Sequence, residues 1–103
     1  MVDIINKNDV LENLKKQRNH IDEIDGKIAG LLNDRFECCK EIAKLKQYLG
    51  LSLVNLERQD EVLANINRFS KDEFAEMNKS IFSKIMCLSL TLQQRFQNKN
   101  KHS

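Results

Sequence analysis

Residues 11 to 49 read LENLKKQRNHIDEIDGKIAGLLNDRFECCKEIAKLKQYL. Leu14, Ile21, Ile28, Ile42 and Leu49 fall on one seven-residue series. Ile24, Leu31, Cys38 and Leu45 follow three residues behind positions of that series. Such 3-4 spacing lays an apolar stripe along one side of an α-helix. At Arg35 the series calls for an apolar side chain and meets a guanidinium. A second row beside the stripe carries Arg18, Asp25, Leu32, Cys39 and Lys46. Arg18, Arg35 and Lys46 therefore lie on or next to the face that should be covered. A helix that needed only to pack has no use for cations there.

Asp9 is the expected N-cap of this first helix, which should run to about Leu49. At 1.5 Å per residue its length would be about 60 Å, too long for a compact monomer of this size. The helix should protrude or pair. Gly26 and Gly30 lower its propensity slightly, and Gly50 is the natural stop. Residues 50 to 54, GLSLV, form a short connector in which a β-strand would lack a partner. Asn55 or Ser52 is expected to cap a second helix with Leu56, Leu63, Ile66 and Phe69 on its apolar side. Ser70, with Glu73 three residues on, makes a capping box for a third helix. Phe74, Ile81, Ile85, Leu88 and Leu92 form its stripe. Residues 1–8 and 98–103 are polar and expected to fray. The fold class is all-α, three helices with one very long, in a single domain over 1–103.

The composition agrees. There is no proline, and glycine occurs 3 times in 103 residues. Seventeen basic against 15 acidic side chains leave a net charge of +2. That balance argues against a nucleic-acid or membrane surface, so any basic site must be local. Three cysteines, Cys38 and Cys39 adjacent, fit neither a disulfide framework nor a zinc pattern. Buried free thiols in a reducing cytoplasm are the expectation. The start MVDIINKNDV has no signal-peptide character, and no stretch is apolar enough to span a bilayer. One small domain can bury only a modest core, so a partner subunit would help.

Several residues could carry chemistry. Arg35 taken alone could snorkel to solvent or pair in a helical seam. Lys46 lies close to three turns further on, about 16 Å along the axis, and faces nearly the same way. The two could grip a small anion between them. Arg18 is about 42 Å from Lys46 along the same helix. Either it is irrelevant, or it serves a site on a partner molecule. Arg58 and Gln59 stand in the first turn of the second helix, three and four residues after Asn55. That turn is a solvated helix start or an anion site. Ser89 and Gln93 share a face of the third helix, either as a polar packing edge or as a cavity lining. His20 and His102 form no catalytic constellation. The chain has no nucleophile–base pair, carboxylate pair or Gly-rich phosphate loop.

The layout resembles the all-helical chorismate mutase family of the small bacterial type. The matching stretches are LKKQRNHIDEIDGKIAGLLNDR, EIAKLKQ, NLERQ and SLTLQQ, spread over about residues 11 to 97. The joint spacing of Arg18, Asp25, Arg35, Lys46, Arg58, Ser89 and Gln93 carries the likeness. It implies an intertwined helical homodimer whose two sites each borrow one arginine, here Arg18, from the other subunit. The implied substrate-binding set is Arg18, Arg35, Lys46, Asn55, Arg58, Gln59, Ser89 and Gln93. The implied catalytic residues are Lys46, Gln93 and Arg35. The substrate would be the dicarboxylate chorismate, with no cofactor and no metal. Asn55 and Gln59 depart from the family, whose members often have acidic residues there. Relatives on this fold that act on 4-amino-4-deoxychorismate, or release pyruvate from isochorismate, are alternatives, as is a non-catalytic helical dimerisation module. No dehydratase, dehydrogenase or regulatory domain is expected on this chain.

Overall fold

The computed structural model describes residues 6–101. Helix α1 runs Lys7–Leu49, α2 Leu56–Phe69 and α3 Ala75–Lys101, with a 3₁₀ turn over Asp72–Phe74 before α3. Among the described residues there is no strand, so the all-α reading holds. The chain divides into two compact units, Met1–Arg35 and Phe36–Ser103.

In the first unit α1 begins earlier than the sequence suggested. The Asn6 side chain accepts from the Asn8 N–H at 2.9 Å, in the manner of an N-cap. Asp9 then lies in the first helical turn, where its charge complements the helix dipole. The expected frayed residues 1–5 lie outside the described part. Leu14, Ile21, Ile24, Ile28 and Leu31, the apolar stripe, are all exposed.

The second unit holds the end of α1, all of α2, the 3₁₀ turn and α3. Helix α1 stops at Gly50, whose φ of 68° is readily adopted by glycine. Gly50 N–H donates to Gln47 O at 3.2 Å and Leu51 N–H to Lys46 O at 2.8 Å. This pair of bonds is a Schellman motif. The connector after it is irregular. Asn55 caps α2, its Oδ1 accepting from Arg58 N–H at 3.0 Å.

Ser70 does not cap α3. Its hydroxyl donates to Ile66 O at 2.5 Å and accepts from Asn78 Nδ2 at 2.8 Å, so it closes α2 and ties α2 to α3. With the hydroxyl so engaged, the 3₁₀ turn starts α3 instead of a capping box. Helix α3 continues through Lys101, past the fray expected from Asn98, because no glycine or proline interrupts it. Position 102 and beyond lie outside the description. The Gln97 side chain donates to Ala43 O at 2.8 Å and pins α3 to the end of α1. Among the described residues the buried apolar ones are small, Cys39, Ala43 and Ala75. One chain alone thus covers little of its own apolar surface.

Candidate active site

The site residues predicted from sequence divide between the two units. Arg18 and Arg35 belong to the first, Arg18 exposed and Arg35 half-buried. Lys46, Asn55, Arg58, Gln59, Ser89 and Gln93 belong to the second.

Within the second unit, hydrogen bonds in and around the connector involve four of these residues, Lys46, Asn55, Arg58 and Gln59. Lys46 stands in the last turn of α1, half-buried. Its Nζ donates to Leu53 O at 3.0 Å, which aims the ammonium back across the connector. Two of its three N–H donors remain for other acceptors. Val54 N–H donates to Ser52 Oγ at 3.3 Å, steadying the connector. Asn55 follows, with its side-chain oxygen committed to the Arg58 N–H and its carbonyl accepting from Gln59 N–H at 3.1 Å. Arg58 is exposed and paired with Glu61 at 3.1 Å, an i,i+3 surface pair. Such pairs contribute on the order of 0.2–1 kcal/mol, so an incoming carboxylate can displace Glu61 at small cost. Gln59 is half-buried.

On α3, Ser89 and Gln93 are 6% and 8% exposed, the buried polar residues of the described structure. Ser89 Oγ donates to Ile85 O at 2.7 Å. Among the described residues, no side-chain nitrogen or oxygen shut off from solvent lacks a partner. No hydrogen bond is made to the Gln93 amide within the same residues, so its small remaining exposure lies at that polar tip. A largely buried amide whose end is open can still donate to an incoming acceptor.

Gln97, one turn beyond Gln93, holds the carbonyl of Ala43, one turn before Lys46. That bond brings Gln97 of α3 to the Ala43 turn of α1. Gln97 was missed in the sequence, although its spacing of four from Gln93 repeats the Ser89–Gln93 interval. The Leu53 carbonyl was missed too, and no side-chain signal could have found it.

The surroundings narrow the chemistry. Among the described residues no group of three or more His, Cys, Asp or Glu could hold a metal. A shallow furrow lined by Asp9, Glu12, Asn13 and Lys16 is the gap between side chains on one face of α1 and includes none of the site residues. No described helix is long and apolar enough to cross a membrane.

Comparison with known proteins identifies the layout. Residues 17–94 match the family described as chorismate mutase type II. The chain belongs to that family. All eight predicted binding residues, from Arg18 to Gln93, fall inside the matched stretch. A chorismate mutase of Methanocaldococcus jannaschii is 32% identical over 98 residues, covering 89% of this chain and 99% of that protein. A bifunctional chorismate mutase/prephenate dehydratase of Aquifex aeolicus is 30% identical over 92 residues, covering 84% of this chain and 25% of that protein. The second match thus spans a quarter of a longer protein.

Proposed function

We propose that this protein is a chorismate mutase that rearranges chorismate to prephenate, a step toward aromatic amino acids. The observation that carries the reading is the match along nearly the full length of the Methanocaldococcus enzyme, with every predicted binding position inside the family stretch.

The reaction is an intramolecular Claisen rearrangement. It needs no nucleophile, proton transfer or metal. The substrate carries two carboxylates and reacts from a compact chair, so catalysis reduces to gripping that conformer and stabilising charge that develops in it. Arg35 and Arg58, with Arg18 of a second subunit, fix the carboxylates through the paired donors of a guanidinium. As the ether C–O bond breaks, its oxygen gains negative charge. Lys46 and Gln93 donate to that oxygen. Donors held in place before the reaction stabilise the transition state more than the ground state. The open amide of Gln93 and the two uncommitted N–H groups of Lys46 fit these roles. Ser89 and Gln59 complete the lining, Gln59 near the ring hydroxyl, with Asn55 at the start of α2.

The active form is a homodimer in which the 1–103 chain acts as one catalytic domain. The exposed stripe from Leu14 to Leu31 is the surface a second copy would cover. Cys38, Cys39 and Cys87 form no disulfide, which fits a reducing cytoplasm, although Cys38 and Cys87 are exposed where buried thiols were expected.

The test is to offer chorismate, isochorismate and 4-amino-4-deoxychorismate separately and to identify products by NMR. Prephenate from chorismate, at the highest specificity constant of the three, is the expected result. Pyruvate release from isochorismate as the preferred reaction, or no conversion of chorismate, overturns the reading.

A further inference from the structure

The hydrogen bonds of the connector single out one residue of the proposed site. Asn55 Oδ1 accepts from the backbone N–H of Arg58, and Asn55 O accepts from Gln59 N–H. Both bonds go to the two residues proposed to meet substrate on α2. The strap behind Asn55 is fixed at its other end as well, since Leu53 O accepts from Lys46 Nζ and Gly50 closes α1. Lys46 and Arg58 are therefore joined by a short connector whose two ends are each hydrogen-bonded.

Resting on the mutase reading, we propose that Asn55 is a positioning residue. Its side chain acts by capping α2, and so by fixing where the Arg58 guanidinium and the Gln59 amide begin, rather than by its own contact with substrate. The cap acceptor is spent on the backbone, and the residue as a whole is exposed. Gln59, half-buried and one turn on, is the amide left to read the ring substituent. A neutral side chain is enough for the function the position needs, because asparagine and aspartate cap equally well.

Three substitutions separate capping from contact. Asn55→Ser keeps a cap oxygen but has no amide. Asn55→Gln keeps the amide, yet its extra methylene spoils the short cap. Asn55→Ala keeps neither. Prephenate formation is measured for each below its unfolding temperature, with helicity checked by circular dichroism. Loss of a cap corresponds to about a fivefold change in an equilibrium constant. The KM of Asn55→Ala and Asn55→Gln should rise by about that factor or more, with kcat changed less. Asn55→Ser should stay within about twofold of the parent. If Asn55→Gln retains the parent KM while Asn55→Ser loses it, the amide contacts substrate and the proposal is wrong. If thermal midpoints fall while KM stays constant in all three, the residue is a structural cap alone, and the proposal is wrong again. An unsubstituted protein that leaves chorismate untouched refutes the mutase reading itself, a result separate from either of these.

Discussion

Replacing Ile28 with alanine tests the dimer directly. Leu14, Ile21, Ile24, Ile28 and Leu31 are 45%, 53%, 40%, 49% and 68% exposed in the single chain. Burying a whole isoleucine or leucine side chain contributes about 1.5–3 kcal/mol, so covering the exposed half of one contributes about 1 kcal/mol. Across a two-fold axis each position occurs twice, and the substitution removes about 2 kcal/mol from the association. The dimer dissociation constant should rise roughly 30-fold. Alanine is the best helix former, so α1 itself should not weaken. Sedimentation equilibrium over a concentration series reads the constant, and circular dichroism checks the helix. On the proposal that each site takes Arg18 from the second subunit, mutase activity should fall at low protein concentration in the variant and recover as concentration rises. A parent protein that stays monomeric at every concentration refutes the reasoning. So does an Ile28→Ala variant whose dissociation constant lies within twofold of the parent's.

The remaining predictions concern the chemistry. Lys46→Ala and Gln93→Ala should each lower kcat by ~10²–10³, the usual effect of losing one donor to a developing oxyanion, with helical content unchanged. Turnover by Lys46→Ala within tenfold of the parent would sink the assigned mechanism. Arg18→Ala and Arg58→Ala homodimers should be nearly inactive, yet unfolding and refolding them together should restore about a quarter of parental sites, because random pairing makes about half the dimers mixed. A mixture that stays inactive although mixed dimers form shows that Arg18 is not donated across the interface.

The fold was legible where the sequence repeats a signal many times. The stripe of α1 is written at nine positions between Leu14 and Leu49, and α1 extends over Lys7–Leu49. Gly50 was legible, and the cap of α2 was narrowed to Asn55 or Ser52, because a left-handed stop and a side-chain cap each depend on residue type; Asn55 is the cap. Boundaries set by competition were not. Asn6 and Asp9 can both cap, and Asn6 does. Ser70 can cap α3 or close α2, and the presence of Asn78 one turn into α3 favours the second. The candidate site follows the same division. Cations on or beside an apolar stripe stand out by type, whereas Leu53 O and Ala43 O are acceptors that every residue carries.

Gln93 shows what the structure adds to a residue the sequence had singled out. From the spacing alone, Ser89 and Gln93 could be a polar edge of packing. An edge would leave both exposed, and both are buried while leucines and isoleucines along α1 and α3 are not. A buried amide reached by neither a partner nor solvent would cost about 1–3 kcal/mol relative to one that is satisfied. Leucine would fill similar space without that cost. Gln97, one turn away, meets its need through the Ala43 carbonyl, and the Gln93 amide keeps its small opening instead. A chain that buries so little yet buries this amide with its tip open has placed a donor where an acceptor from outside can reach it. The proposed ether oxygen is an acceptor of that kind, and its charge grows as the bond breaks.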